Sequence, residues 1–358
     1  MTSPRNHDDV ATPRRAAAPG AQPTPPAGPG VPSPVRDLMY GHFHASALRA
    51  VALLGIADHL AEGARTAEDL AERSGARPDL LRRVLRLLAT HGLFHEDGSG
   101  TFSLTQSGRP LRTDVPGSQH AAVLMFTDEM FRSSAEHLTH TLRTGEPGFE
   151  AAYGVPFFDH LAATPPAGRL FNAAMASRGD VDHHIVSGYP FPDSGTVVDV
   201  GGGRGGLLRE LLVQSPGLTG ILYDRAETVA DHLLNAPSLA GRWSVQDGDF
   251  FVSVPKDGDL YLLKNILHDW SDEDCLRILA ALREAMTDGT RLLVIDAVLP
   301  DDGTPHPASG LDIVMLSLLR GRERTAAEFE VLLARAGFRL NRVVPTSALP
   351  SVVEAEAI

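Results

Sequence analysis

The run Asp199-Val200-Gly201-Gly202-Gly203-Arg204-Gly205-Gly206 follows directly on an apolar stretch, Thr196 to Val200. Glycine lets main-chain groups approach a ligand that a side chain would hold off, so this is where a cofactor can meet bare backbone. Gly201, Gly203 and Gly206 satisfy the spacing GxGxxG, and Asp224 closes the next apolar stretch, where a carboxylate can accept hydrogen bonds from ribose hydroxyls. A nucleotide-type cofactor is implied. The glycines leave its identity open, since a dinucleotide site sets a pyrophosphate on the helix N-terminus. A site for S-adenosylmethionine instead offers backbone to a carboxylate and surrounds a sulfonium with acidic or carbonyl groups. A second candidate is Leu267-His268-Asp269-Trp270, after the apolar run Leu260 to Lys264. Strand ends of open α/β sheets bind ligands at one edge, so His268 falls beside the glycine loop and Asp224 as a titratable ring able to move a proton.

The elements that must hold these residues follow from periodicity. After Gly188 short apolar strands alternate with amphipathic helices: Thr196 to Val200, Thr219 to Tyr223, Trp243 to Gln246, Leu260 to Lys264 and Arg291 to Asp296 are the strands. That grammar predicts an α/β, doubly wound, mostly parallel sheet. The last segment, Arg339 to Ala355, carries two strand-like stretches around Thr346 to Pro350 and predicts a closing hairpin. Residues 35–188 read as mainly helical. A capping box at Thr66 to Asp69, a turn at Gly75 to Pro78, a helix to about Thr90 and a hairpin through Thr101 to Leu104 make a winged helix. Residues 1–34 hold nine of the 26 prolines and no apolar pattern, which predicts a disordered tail. The organisation expected is a tail to 34, a helical domain over 35–188 and a cofactor-binding domain over 189–358.

Composition removes other classes. A net charge of -13 disfavours a partner made of phosphates, so the winged helix is expected to pack and dimerise rather than bind DNA, despite Arg82, Arg83 and Arg86. One Cys excludes a disulfide framework and, with no long apolar run or signal-peptide core, points to the cytoplasm and no membrane.

Taken together, Val197 to Gly206, Gly248-Asp249-Phe250-Phe251 with Val254-Pro255, Leu263 to Asp272, and Gly321 to Thr325 with Glu328-Phe329 and Ala336-Gly337-Phe338 identify a family. From about Val35 to the C-terminus the chain resembles the S-adenosylmethionine-dependent O-methyltransferases of plant phenolic and bacterial antibiotic biosynthesis. The resemblance implies a Rossmann-like class I methyltransferase sheet with its last strand reversed, behind a winged-helix dimerisation domain, and a homodimer acting on a small-molecule acceptor. It places the methionine part of S-adenosylmethionine at Gly201, Gly202 and Gly203 behind Asp199. The ribose falls on Asp224, the adenine beside Asp249 and Phe250, and Lys264 next to the cofactor. It puts the catalytic base on His268, with Asp269 beside it and Asp296 and Glu323 framing it. Asp296 departs from the commoner Glu and is one methylene shorter; Arg225 departs from a common Leu. Acceptor walls fall on Phe126, Met130, Phe157, Phe171 and Met175 with Asp312, Met315 and Leu316, all of which also suit a helical core.

On this reading the acceptor is a phenolic or enolic hydroxyl, poorly nucleophilic at neutral pH with a pKa near 10. A neutral imidazole of ordinary pKa, about 6.5, removes its proton for a gain of roughly 10² to 10⁴. Alignment of oxygen, methyl carbon and sulfur supplies the rest. Three alternatives stay open: a metal-assisted C-methyltransferase with His268 and Asp269 as ligands, an NAD(P)-dependent oxidoreductase, and a non-catalytic winged-helix regulator. No metal is expected at the His137/His140 or His183/His184 pairs. Asp272 to Asp274 and Glu328 are expected only to cap helices.

Overall fold

The computed structural model describes residues 34–177 and 179–358, so the Pro-rich tail expected over 1–34 lies, but for Pro34, outside the described residues. Two compact units are present, one ending at His42 and one running Phe43–Ile358. The first holds α1 (Pro34–Met39) and the start of α2 (Gly41–Leu53).

In the second, α3 (Ile56–His59), β1 (Arg65–Thr66), α4 (Ala67–Ser74), α5 (Pro78–Ala89), β2 (Phe94–Glu96) and β3 (Thr101–Leu104) make the expected winged helix, its strands ordered β1-β3-β2. Thr66 caps α4 by accepting the Asp69 N–H, but the Asp69 carboxylate turns to Arg65 and Arg73, so only half of the expected capping box forms. α5 starts on Pro78, whose missing N–H costs nothing at the first helical position, and buries Leu81, Leu85 and Leu88. Arg82 pairs with Glu68 and Arg86 with Glu96, which leaves the would-be recognition helix little free positive charge for phosphates.

Seven helices follow: α6 (His120–Phe126), α7 (Glu129–Glu136), α8 (Leu138–Thr144), α9 (Gly148–Tyr153), α10 (Phe157–Ala163), α11 (Pro165–Ala176) and α12 (Gly179–Gly188). Met125, Met130, Phe131, Phe149, Phe157, Leu161 and Ala174 form their common core, which Leu318 joins from much later in the chain.

The sheet strands are β4 (Ser194–Val200), β5 (Gly217–Asp224), β6 (Trp243–Asp247), β7 (Leu260–Lys264) and β8 (Arg291–Asp296). Two short strands, β9 (Val298–Leu299) and β10 (Arg324–Thr325), pair with each other, and β11 (Phe338–Pro345) and β12 (Ser351–Ala357) form the terminal hairpin. Interspersed helices are α13 (Gly206–Gln214), α14 (Ala226–Val229), α15 (Asp272–Ala285), α16 (Ala308–Leu318) and α17 (Ala326–Arg335). The order β11-β12-β8-β7-β4-β5-β6 has β12 antiparallel to both neighbours and the rest parallel, a class I methyltransferase sheet. Helices cover both faces, so the central strands are continuously apolar: Leu260 to Leu263 and Leu292 to Ile295 are wholly buried. β4 and β5 begin earlier than their apolar runs, because Ser194 and Gly217 already pair through backbone alone. No helix among the described residues is long and apolar enough to cross a membrane.

Candidate active site

From β4 the chain moves outward through β5 and β6, then returns to lay β7 and β8 on the other side. β4 and β7 therefore flank the switch point of the sheet, whose carboxyl edge is where open α/β sheets bind ligands. The glycine loop leaves β4 and the His268 turn leaves β7, so both candidates reach one edge.

Gly201 has φ 66° and donates its N–H to Tyr223 O at 2.8 Å; a Cβ there would stand 2.5 Å from Ile266 Cδ1. Gly203, at φ 62°, donates to Asp224 Oδ2 at 2.8 Å, while Asp224 Oδ1 accepts the Arg225 N–H at 2.7 Å. The Asp224 carboxylate thus ties the glycine loop to the end of β5. Gly206 has no unusual φ; its lost side chain makes room for Asp182, whose Oδ2 lies 2.7 Å from the Cβ position. Asp182 comes from α12, is buried, and pairs with Lys264 Nζ at 2.5 Å. Nothing in the local sequence marks Asp182, which meets Lys264 only through the packing of α12.

Asp199 is 1% exposed and neither of its carboxylate oxygens has a partner. Burial pushes its pKa up to about 7; Lys264 opposes the rise, while Asp182 and Asp224 add to it. Burial also lifts Asp224 above the ordinary carboxylate range, against its two backbone N–H bonds. An orphaned carboxylate beside two more, with one lysine among them, suits a ligand that brings positive charge and backbone-seeking groups. It does not suit a pyrophosphate, because Asp182 occupies the N-terminal end of α13 where such an anion would sit. Phe250 flanks Gly201, whose Cβ position is 3.4 Å from Cε1; Asp249 is exposed and spends one oxygen on the Phe251 N–H at 2.9 Å.

At the end of β7, Asn265 takes a left-handed φ of 54°, which asparagine tolerates, and turns the chain into a 3₁₀ turn, Leu267–Asp269. His268 is buried there. Its Nδ1 lies 2.8 Å from Glu323 Oε1, its Nε2 lies 3.4 Å from Asp269 Oδ1, and its backbone N–H reaches Asp296 Oδ2 at 3.2 Å. Asp296 therefore holds the main chain of the turn, and the carboxylate that bonds the ring at Nδ1 is Glu323. Asp296 Oδ1 and Glu323 Oε2 are buried without partners.

The ring does not keep its ordinary pKa. Burial lowers it, but Asp269, Asp296 and Glu323 outweigh burial and raise it to about 9. Burial in turn pushes Asp269 to about 7 and Asp296 to about 6, with His268 opposing both. The resting ring at neutral pH is an imidazolium, not the neutral imidazole expected from sequence.

Asp312, expected as an acceptor wall, accepts the Glu323 N–H at 2.8 Å and so holds the residue that holds His268. Asp272 is more than a helix-capping residue, since it binds Arg324 at 2.8 Å and Arg322 at 3.1 Å. Thr325 and Glu328 form a complete capping box, as expected. His183 meets Glu210, His184 meets Ser347 and His137 meets a backbone carbonyl.

Of the expected walls, Met130 and Phe157 belong to the helical core, Met315 is 7% exposed, and Phe126 is 43% exposed. Phe171, Met175 and Leu316 are half-buried, with Phe171 5.7 Å from Phe157 between ring centres. Phe158 is not marked by the sequence; it stacks on Trp270 at 5.6 Å and 24°, and Trp270 also meets Phe250 and Phe251. Trp270 directly follows Asp269 in sequence, which was the available signal.

The O-methyltransferase domain family matches residues 135–339, and the O-methyltransferase dimerisation domain family matches residues 36–114. A phenazine O-methyltransferase of Lysobacter antibioticus is 40% identical over 90% of this chain and 95% of its own length. An 8-amino-8-demethylriboflavin N,N-dimethyltransferase of Streptomyces davaonensis is 35% identical over 86% of this chain and 90% of its own. A solved methyltransferase of calicheamicin biosynthesis, with S-adenosylhomocysteine bound, superposes with a TM-score of 0.82 at 43% identity, covering 90% of this chain and 97% of that one. On fold, site edge and likeness together, the chain belongs to the S-adenosylmethionine-dependent O-methyltransferase family of secondary-metabolite biosynthesis.

Proposed function

We propose that the protein methylates a phenolic or enolic hydroxyl of an aromatic or polyketide-like secondary metabolite, with His268 as the general base. The observation that carries this reading is the Nδ1 contact to Glu323 at 2.8 Å, which fixes the ring and leaves Nε2 as the proton-transferring nitrogen. When bound, S-adenosylmethionine supplies an electrophilic methyl group on a sulfonium. The chain holds it with the bare backbone of Gly201 to Gly203, with Asp224 toward the ribose, Asp249 and Phe250 toward the adenine, and Asp199, Asp182 and Lys264 toward the charged amino-acid end. The base is the neutral minority of rings: its Nε2 takes the acceptor's hydroxyl proton as that oxygen becomes the nucleophile toward the methyl group. Glu323 and Asp269 stabilise the imidazolium that results.

The half-buried Phe171, Met175 and Leu316, with the Phe158–Trp270 stack, suit a flat acceptor between the helical segment and the sheet. We assign residues 35–188 to dimerisation and acceptor binding and 189–358 to cofactor binding, in a homodimer. Support comes from the dimerisation-family match and from Arg82 and Arg86 of α5 being engaged in ion pairs.

The test is incubation of the full chain with S-adenosylmethionine and a panel of hydroxyphenazines, 1,4-dihydroxy-2-naphthoic acid and matching aminoarenes, read by mass spectrometry. Methyl ethers made by the wild type and lost in His268→Ala are expected. Methylation confined to the amines, or ether formation untouched by the substitution, would overturn the reading.

A further inference from the structure

Among the described residues, Arg324 is the largest side chain essentially out of contact with solvent, at 1% exposure. A buried guanidinium is costly unless every donor is used. Here the donors converge on the turn that carries His268 and on the start of α15 that follows it. Nη1 donates to Leu267 O at 2.8 Å, Nη2 donates to Trp270 O at 3.1 Å, and Nε and Nη2 share Asp272 Oδ1 at 3.1 and 2.8 Å. The two carbonyls bracket His268 and Asp269 in the chain. The neighbouring residue, Glu323, takes the ring of the same histidine. Gly321, three residues earlier, packs so closely that a Cβ would stand 1.9 Å from His268 O.

We propose that Arg324 is a positioning residue for His268: it clamps the backbone of the 3₁₀ turn from behind, so that Glu323 and Nδ1 stay in register and Nε2 stays aimed at the acceptor. The inference rests on the reading of His268 as the base. A helical or salt-bridge role elsewhere does not explain the contacts, because all four of these bonds end on the turn, on the residue that closes it or on the residue that begins α15. Methionine or leucine would fill the volume more cheaply, and only a planar fork reaches two carbonyls and a carboxylate at once.

The clamp is also the cation nearest a crowd of acids. The groups facing His268 are Asp269 on its own turn, Asp296 at the end of β8, Glu323 before β10 and, beyond them, Arg324 with Asp272. Arg324 favours the ionised form of Asp296, and ionised Asp296 favours the imidazolium, so the charge of the clamp and its hydrogen bonds act on the same ring and are separated by substitution.

The experiment is histidine-selective ¹⁵N and ¹³C labelling of the full chain, with the His268 signals assigned by their loss in His268→Gln. Arg324→Met and Arg324→Lys are then compared with wild type for hydrogen exchange of the Nδ1 proton. Arg324→Met should speed Nδ1 exchange by about tenfold or more, the scale of one lost charge-assisted hydrogen bond. Arg324→Lys keeps the charge but should not restore the exchange rate, because one ammonium cannot span both carbonyls. Unchanged exchange in Arg324→Lys overturns the clamp, and that variant decides the matter even if Arg324→Met fails to fold. Failure of the base reading shows elsewhere, as full methyl transfer by His268→Gln.

Discussion

Two acidic clusters share one edge of the sheet, and they are built in opposite ways. At the end of β4, Asp199 is buried with both oxygens orphaned, and the backbone around it is glycine held open by Gly201 and Gly203. At the end of β7, His268 is gripped at its ring by Glu323 and at its backbone by Asp296 and Gly321, with Arg324 behind. The first cluster sets one lysine, already paired with Asp182, among three carboxylates and leaves Asp199 without a partner. The second carries its counter-ion in the histidine itself. On the function proposed above, binding and chemistry are divided between two loops whose charge balance can be perturbed separately.

The largest separation of the two should come from His268→Ala. Turnover should fall by roughly 10² to 10⁴, the usual worth of a general base, while the dissociation constant for S-adenosylmethionine stays within about twofold. Single-turnover kinetics beside calorimetry would check both. An equal loss in both numbers would mean that the clusters are one site.

Asp199→Asn should act in the opposite sense on stability. Its folded pKa is raised to about 7, so the ionised carboxylate costs stability above the unfolded value near 3.9, and the cost is complete by about pH 7. Removing it should stabilise the ligand-free chain by up to about 4 kcal/mol at pH 8, and hardly at all at pH 4, while cofactor binding weakens. Urea titrations at the two pH values measure this. Destabilisation at pH 8 would show that the carboxylate is not orphaned.

For the β7 cluster the sign reverses. A histidine raised to about 9 contributes stability below the ordinary imidazole pKa, and that contribution is lost as pH rises through about 9. At pH 7 roughly one ring in a hundred is neutral, so kcat/KM for a phenolic acceptor should climb nearly tenfold per pH unit between about 7 and 8.5. A profile already flat at pH 7 would contradict the raised value.

How much of this could be read from sequence depended on whether a feature is local. The strands at Leu260 to Lys264 and Arg291 to Asp296 are legible to the residue, because burial on both faces leaves an unbroken apolar run between charged ends. The glycine loop and the His-Asp-Trp run were legible as spacing. Asp182 and Arg324 were not, since each acquires its meaning from a partner brought by packing, Lys264 in one case and the Leu267 and Trp270 carbonyls in the other. Gly206 shows the same limit: it fits the phosphate-loop spacing, yet what it makes room for is an aspartate. The pKa of His268 departs from the ordinary value for a related reason, as three carboxylates from three elements surround the ring and only Asp269 adjoins it in sequence.

The smallest expected effect, and the sharpest probe of the β4 cluster, is at Asp224. Both oxygens already accept a backbone N–H, one from Gly203 and one from Arg225, which leaves their outer lone pairs for ribose hydroxyls. Asp224→Ala should weaken S-adenosylmethionine binding by at least about tenfold, since each charge-assisted bond is worth roughly 1.5 to 3 kcal/mol. Asparagine looks conservative and is not, because its single oxygen can serve only one of the two N–H groups and its NH₂ must face the other. Asp224→Asn should therefore lose nearly as much as Asp224→Ala, and should loosen the Gly203 peptide as well. Acceptor binding, by contrast, should stay within about twofold in both variants, because the Oδ atoms that are named here face the glycine loop and not His268. Calorimetry on the two variants, with hydrogen exchange at Gly203, separates the outcomes: wild-type affinity in Asp224→Asn would mean that the carboxylate serves the loop alone and that the ribose is held elsewhere.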